Sequence, residues 1–403
     1  MITMQASPFA QIEQAPPDPI IGLTEAFNTD PNPKKVNLGA GVYQDASGKV
    51  PVLRVVREAI DRWQAKEDTK TYLPIEGVPA FTRQVPELLF GADSAVIAEA
   101  RVVTVQAVGG TGALKVGADF LKRFFPASEV WISTPSWENH RQLFEAAGFA
   151  VNNYPYYDPQ THGLDFAAML KTLKGLPPRS VVVLHACCHN PTGVDLSREQ
   201  WGILVDLFQT TDLIPFLDFA YQGFSEGLDE DAFAVRALAE AGVPCLVANS
   251  FSKSFALYRE RVGALTILTG SAEESKRVLS QVKRVVRTNY SSPPSHGGQI
   301  VAAVLADADW RRRWEGELAE MRERIHQMRD LFVRTLREKG VEQDFGFLTR
   351  QRGMFSYSGL SREAVDRLRN ESSIYIVGSG RICVAALNEK NSGYVCEAIA
   401  EVL

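Results

Sequence analysis

No stretch of this sequence stays apolar for the ~20 residues that a membrane-spanning helix needs. The opening residues, 1–19, carry neither a basic n-region nor an apolar h-region, so no signal peptide is expected there. Cysteine is scarce and odd in number, five in 403 residues. That argues against a disulfide framework and for a reducing compartment, with the cytoplasm as the expected location. An excess of one charge is also missing. A formal net charge of -5 with a pI near 5.8 gives no electrostatic reason to expect nucleic acid or an anionic membrane as partner. A small anionic ligand stays admissible, because a few local arginines outweigh so weak a field. Internal repeats and low-complexity tracts are absent too.

What remains is an ordinary globular composition, 45% hydrophobic and 23% charged, long enough for one large and one small domain. Residues 1–33 are rich in Pro, Gln and Asp and read as an extended arm that needs another surface to order it. Within them, Asp18-Pro19-Ile20-Ile21-Gly22-Leu23 starts a short helix. Beyond them, short apolar strands alternate with amphipathic helices. Strands are expected at Arg101–Gln106, Val130–Ser133, Ser180–His185, Ile214–Asp218, Cys245–Ala248 and Gly263–Leu268. Helices are expected at Gly112–Phe124, Glu138–Ala147, Glu199–Gln209 and Val235–Ala241. This alternation predicts an α/β fold with a mostly parallel sheet covered on both faces. A long helix follows at Glu317–Lys339, ended by Gly340. Its apolar stripe of Leu318, Met321, Ile325, Met328, Phe332 and Leu336 suits a helix packed on a core, or, more sharply, a dimer seam. Strands at Gly353–Tyr357 and Arg381–Ala385 and helices at Ser361–Arg369 and Ser392–Val402 complete a second, smaller α/β unit. The chain thus divides into 1–46 (arm and part of the small domain), 47–315 (large domain) and 316–403 (small domain).

Lys253 is the most informative residue. It follows the buried strand Cys245–Ala248, lies between Ser252 and Ser254, and precedes Arg261. A lysine there, partly desolvated and beside a cation, has a lowered pKa and can attack a carbonyl to form a Schiff base. Small hydroxyls and a guanidinium suit a phosphate. Together they point to a pyridoxal phosphate site.

Two more strand ends converge on it, because ligands of a parallel sheet bind outside the carboxyl ends of its strands. Val181–Leu184 runs into His185-Ala186-Cys187-Cys188-His189-Asn190-Pro191-Thr192-Gly193, and Ile214–Leu217 runs into Asp218-Phe219-Ala220-Tyr221. Asp218 can supply the anion a pyridine nitrogen needs, and Asn190 and Tyr221 can donate to the ring's phenolic oxygen. Taken singly, Asp218 would be a helix cap, Asn190 part of a turn and Tyr221 a packing residue. Gly109-Gly110-Thr111-Gly112 follows another strand and opens a helix, whose free N–H groups suit a phosphate. It lacks the Lys-Ser/Thr of a P-loop, which disfavours a nucleotide. Trp137 can stack on a flat ring or simply fill the interior. His185 and His189, with Cys187-Cys188 between them, invite a zinc reading. Their spacing faces one side only in a helix, and this segment turns into Pro191, so no metal is expected. Arg381 and Arg287 can each clamp a carboxylate in a planar fork, although spacing alone does not single them out among the chain's many arginines.

With these residues in order, the chain resembles the fold-type-I, class-I aminotransferases, specifically the bacterial aspartate and aromatic amino acid enzymes. The likeness runs nearly end to end and includes Asn37–Tyr43 and Tyr72-Leu73-Pro74. It implies that Lys253 carries the cofactor and shuttles protons, that Asp218 pairs with the pyridinium, and that Asn190 and Tyr221 bind the ring oxygen. Trp137 would stack on the ring with His140 behind it. Gly110, Thr111, Ser250, Ser252 and Arg261 would hold the phosphate, joined by Tyr72 from a second subunit. Arg381, Asn190 and Gly41 would hold the substrate α-carboxylate. Arg287, also from the second subunit, would meet a distal carboxylate or move aside for a ring. The family implies a homodimer with shared active sites.

The branch signature is mixed. Gly117–Arg123, Trp137–His140 and Tyr290–Pro294 look aromatic, and aspartate-preferring relatives tend to have Asn where this chain has Ser292. Thr111 and Val42 look closer to the aspartate branch. The expected activity is transfer from tyrosine or phenylalanine to 2-oxoglutarate, with aspartate also accepted. Aspartate as the main substrate is the nearest alternative, and a β-lyase on the same scaffold a more remote one.

Overall fold

The computed structural model describes residues 7–15 and 20–403. Asp18 and Pro19, where the first helix is expected to start, lie outside them; that helix runs Ile21–Thr29. Residues 7–15 are exposed in the single chain.

Seven strands form the central sheet: β1 Val102–Val108, β2 Val130–Thr134, β3 Val151–Pro155, β4 Val181–His185, β5 Ile214–Phe219, β6 Cys245–Ser250 and β7 Val262–Leu268, in the order β1-β7-β6-β5-β4-β2-β3. Only β7 runs antiparallel to its neighbours. The sheet is therefore mostly parallel, as the alternation of elements predicts. Six of the strands correspond to apolar runs. The edge strand β3 is unforeseen, because Asn152 and Asn153 interrupt its apolar character and only one of its residues, Tyr154, is buried.

Register explains why the site residues meet. In the β4–β5 ladder His185 pairs with Asp218, and in the β5–β6 ladder Asp218 pairs with Ala248, two residues before Ser250. Three carboxyl ends therefore lie side by side. The helix Gly109–Phe124 packs closely over them because Gly117 has no side chain: a Cβ there would stand 2.4 Å from the Phe216 ring. That is nearer than carbon atoms pack.

The long helix runs Ala308–Glu338, nine residues further toward the N-terminus than the apolar stripe suggests. Asp307 caps it, accepting from the N–H groups of Asp309 and Trp310. The run Trp310-Arg311-Arg312-Arg313-Trp314 hides the continuing stripe, since the two tryptophans stand four apart on one face. Leu318, Met321, Ile325, Met328, Phe332 and Leu336 are all buried within this one chain. The dimer-seam reading of that stripe is therefore incorrect.

This helix ties together the two walls of the cavity described below. At one end the Trp314 indole donates to the Ser254 carbonyl at 2.7 Å and stacks on Phe255 at 4.4 Å, which fixes the chain beside Lys253. Two turns of helix beyond the middle, Arg329 donates to the Phe355 carbonyl at 2.7 Å and so holds the short strand Phe355–Tyr357. That strand pairs antiparallel with Arg381–Cys383. A further pairing, Val36–Asn37 with Ile374–Tyr375, brings the segment leading to Gly39 against the same unit.

Trp314 gives a graded test. Trp314→Phe keeps the stacked ring but strands a carbonyl and should cost about 1–3 kcal/mol. Trp314→Ala also empties the pocket and should cost about 3–5 kcal/mol. Urea midpoints check this; equal losses in the two variants would mean that the hydrogen bond and the ring do not contribute separately.

Candidate active site

A cavity of about 430 Å³ opens at the carboxyl ends of β4, β5 and β6. Lys253 lies on its floor, the ammonium 4.7 Å from the Tyr221 ring centroid. Burial pulls the Lys253 pKa down to about 8; Asp218 opposes the shift, while Arg261 and Arg381 add to it. Asp218 is buried beside it, and its Oδ2 lies 2.9 Å from His140 Nε2. Burial pushes that carboxyl up. The His140 hydrogen bond, with the pull of the neighbouring imidazoles and of Lys253, outweighs burial and leaves it below the ordinary carboxylate value. His140 is fixed in turn by Ser136 Oγ, 2.9 Å from its Nδ1, and by the edge of Trp137 at 5.3 Å. The cavity thus holds an amine that sheds its proton easily beside a carboxylate that stays charged.

One side of the cavity is built for an oxyanion. The free N–H groups of helix Gly109–Phe124 open onto it at Gly110 and Thr111, opposite Ser250, Ser252 and Arg261. Gly109, at φ +70°, has to be glycine, since a Cβ would stand 2.5 Å from the Arg261 guanidinium. Gly110 similarly keeps its face open, its Cβ position being 3.0 Å from Ser250. Arg261 is aimed by the Tyr258 carbonyl at 2.9 Å and Ser252 Oγ at 3.4 Å.

The opposite wall carries Arg381, 1% exposed. It donates to Asn190 Oδ1 at 3.2 Å and to the Gly39 carbonyl at 2.8 Å, and lies over the Phe355 ring at 4.3 Å. Its buried Nε has no partner. An unpaired donor on a buried guanidinium is costly unless an acceptor arrives. Gly41 lies beneath, where a Cβ would meet Phe355 at 2.8 Å.

Twelve residues singled out in the sequence therefore line one cavity: Gly41, Gly110, Thr111, Trp137, Asn190, Asp218, Tyr221, Ser250, Ser252, Lys253, Arg261 and Arg381. Tyr72 and Arg287 are not brought to it. Tyr72 is 91% exposed, and Arg287 points along its own helix to Ser291 Oγ. Sequence reasoning missed Phe355, the platform under Arg381, and gave no role to Glu138, Asn139, Gln142 or Ile20, which also line the cavity. Nothing in a lone Phe or Ile marks it as cavity-lining.

The histidines divide. His185 reaches the cavity, 5.1 Å from the His140 ring, and burial with its two histidine neighbours keeps it neutral. His189 packs edge-on against His185 at 4.4 Å and stacks on Tyr156 at 4.0 Å, and both its ring nitrogens already have partners, Ser133 and Thr192. A second cluster, Cys187, Cys188 and Asp231, gathers its side-chain atoms within 4.8 Å. The Asp231 oxygens, however, already accept the N–H groups of Gly223, Ser225 and Glu226.

Comparison with known proteins agrees with this geometry. The family model described as aminotransferase class I and II matches residues 33–399. The chain belongs to this family. It is 56% identical to an aspartate aminotransferase of Pseudomonas aeruginosa, over 98% of this chain and 99% of that one. It is 51% identical to an aromatic-amino-acid aminotransferase of Escherichia coli, over 98% and 100%. The crystal structure of an aromatic-amino-acid aminotransferase from Burkholderia pseudomallei, covalently bound to pyridoxal phosphate, matches with TM-score 0.96 at 57% identity, over 98% of this chain and 100% of that one. In this aminotransferase Lys253 lies on the loop after β6, at the floor of the cavity.

The charge balance at Lys253 has a measurable consequence. A neutral amine is the nucleophile, so acylation of Lys253 in protein freed of small molecules should rise through a midpoint near pH 8. Asp218→Asn removes the one charge that raises this pKa, so its midpoint should fall further. Peptide mapping after brief acetic anhydride treatment at graded pH reads both; an unchanged or higher midpoint in the variant would contradict the assignment.

Proposed function

We propose that this aminotransferase moves the amino group of tyrosine or phenylalanine to 2-oxoglutarate and also accepts aspartate, with pyridoxal 5'-phosphate as cofactor. One observation carries the reading: a single cavity joins a lysine of lowered pKa, a buried charged carboxylate and two guanidinium groups on opposite walls. The residues fit the cofactor. The glycine-walled cradle at Gly109 and Gly110 leaves room for an oxyanion, and the Arg381 guanidinium lines the same cavity, where it suits a carboxylate.

Asp218 would hold the pyridine nitrogen, Asn190 and Tyr221 the ring oxygen, and Trp137 the ring face. Gly110, Thr111, Ser250, Ser252 and Arg261 would hold the phosphate. Bound there, pyridoxal phosphate supplies an aldehyde that takes up an amino group and a cationic ring that accepts the electron pair left at the substrate α-carbon. Lys253 Nζ, once free and neutral, would take the proton from the substrate α-carbon as general base and give it to the cofactor's former aldehyde carbon, across the amino nitrogen, as general acid. Asp218 remains anionic throughout, and His140 holds its Oδ2 in place. Arg381, backed by Asn190 and Gly39, orients the substrate through its α-carboxylate.

We also read the enzyme as a homodimer with shared sites. Tyr72 and Arg287, which the family pattern assigns to phosphate and distal carboxylate, are exposed and outside this chain's own cavity. That is the arrangement expected if the partner subunit's Tyr72 and the partner subunit's Arg287 complete the site. The division into 1–46, 47–315 and 316–403 belongs to the same reading, with the arm ordered on a second copy. Five unpaired, buried cysteines support a reducing, cytoplasmic setting. A second reading, with aspartate as main substrate, is favoured by Thr111 in the cradle and by the Pseudomonas relative. Relative kcat/KM for tyrosine, phenylalanine and aspartate decides between them.

Two variants test the assignment. Asp218→Ala should lower turnover by at least about 10²-fold while the cofactor remains weakly bound. Near-normal turnover would remove Asp218 from the chemistry. Arg287→Ala should lower kcat/KM by about 10²-fold for aspartate and by less than about tenfold for phenylalanine, since only aspartate leaves a second carboxylate unpaired. Parallel losses on both substrates would refute the distal-carboxylate role.

A further inference from the structure

The loop that carries Asn190 has an anchor outside the cavity. Cys188 stands at φ +52°, a backbone state that costs energy for a residue other than glycine. Its N–H donates to Asp195 Oδ2 at 2.7 Å, and the next N–H, of His189, donates to Asp195 Oδ1 at 2.8 Å. One carboxylate thus takes both N–H groups of the strained corner immediately before Asn190. Asn190 Oδ1 is in turn the acceptor for Arg381 Nη1. Asp195 itself lines a different cavity of about 410 Å³, which shares no residue with the first.

We propose that Asp195 is a positioning residue for substrate: it fixes the Cys188-His189 corner so that Asn190 presents its oxygen to Arg381, and so sets affinity for the α-carboxylate. This rests on reading Arg381 and Asn190 as the carboxylate clamp. Geometry favours a role beyond packing. Two oxygens serve two donors, and an amide of the same shape offers only one acceptor. The charge is also held where it is expensive. Burial pushes the Asp195 pKa up to about 6 and the nearby Asp231 carboxylate adds to this, against the pull of the two N–H groups and Arg352. A carboxyl whose folded pKa is raised destabilises the fold as pH rises through that pKa. Asp195 therefore weakens the protein near neutral pH while organising the clamp.

The charged and titratable groups around Asp195 are Asp231, Arg352, Arg329, Tyr156, His189 and the Cys187 and Cys188 thiols, with Arg198, Glu226, Glu230 and Arg350 further along the same cavity. Burial holds His189 neutral and Tyr156 and both thiols protonated near neutral pH. Asp231 is also raised, and it is unchanged in an Asp195 variant, so comparison with the parent isolates Asp195.

The test uses the holoenzyme and succinate, an unreactive dicarboxylate, with Kd read from the cofactor absorbance. Asp195→Asn should raise Kd roughly tenfold at about pH 7.5, with kcat changed less than about threefold and Tm unchanged or higher. In the parent, Kd should rise as pH falls from about 7.5 to about 5.5; in the variant that rise should shrink. Asp195→Glu, which keeps both acceptors, should recover part of the affinity. Arg381→Lys is the control. If it leaves Kd unchanged, the clamp reading fails. If it weakens binding and Asp195→Asn does not, only the present inference fails. Tighter binding in Asp195→Asn also overturns the proposal, because it would show that Asp195 acts on the anion by charge repulsion alone. Should Asp195→Asn not fold, a flat parent Kd across that pH range overturns it equally.

Discussion

A carboxylate kept charged in a protein interior is the constraint on which this site depends. Asp218 is almost without solvent, and burial alone would raise its pKa. It stays anionic because the segment following β2 brings the His140 imidazole within 2.9 Å and the loop following β6 brings the Lys253 amine. Both neighbours are consequences of strand order: β6 adjoins β5 on one side, and only β4 separates β5 from β2 on the other. Had the sheet been wound otherwise, the same residues would carry no such charge. The fold is therefore the means of ionising one side chain, and the amine at Lys253 is set against it.

The second requirement is that two walls stay in register. The phosphate-type cradle and the Lys253 loop belong to the ends of β1 and β6, whereas Arg381 and Phe355 belong to a two-stranded ladder far along the chain. Nothing in the sheet connects them. The 31-residue helix does, through Trp314 at the lysine loop and the buried Arg329 at the Phe355 strand. Arg329 is a guanidinium out of water, its pKa pulled down to about 10 by burial. Such a group is a poor choice for stability alone. Its two hydrogen bonds to Phe355 and Ser356 give it a geometric purpose, since they set the height of the ring under Arg381.

This division explains what could be read from the residues alone. The buried strands of such a sheet are continuous apolar runs, so β1, β2 and β4 to β7 stand out, and so do the polar residues at their ends. Asp218, Asn190, Tyr221 and Lys253 were legible for that reason: position at a strand end carries chemical meaning in this architecture. Arg381 and Arg287 were legible only by family pattern, because a guanidinium on a short strand or an exposed helix has no local signature. Phe355 and Gly39 were not legible, since their roles exist only in tertiary pairing: Phe355 with Cys383 in a two-stranded ladder, and Gly39 with Arg381 across more than three hundred residues. The early start of the long helix was hidden by three consecutive arginines, and the edge strand β3 by two asparagines. In each miss the deciding interaction was tertiary, and the local propensity was silent or opposed.

Lys253 sits within this pattern at a balance point. Asp218 raises its proton affinity, and Arg261 and Arg381 lower it, on top of burial. The two arginines are also the groups best placed to bind anions, one in the cradle and one on the opposite wall. An anion on either guanidinium cancels its field at the amine. Occupation of the two anion sites must therefore raise the basicity of Lys253, and by linkage a protonated Lys253 must strengthen the hold on both anions. The reciprocal effect has the right order for catalysis. An amine that has to attack needs to be neutral, and it is most nearly neutral while the guanidiniums are bare. An amine that has to carry a proton between two carbon atoms needs more basicity, and it gains this once a carboxylate lies against Arg381. Anion binding at the two guanidiniums and the basicity of Lys253 are then one electrostatic event, written into the placement of two arginines and one aspartate around a single nitrogen.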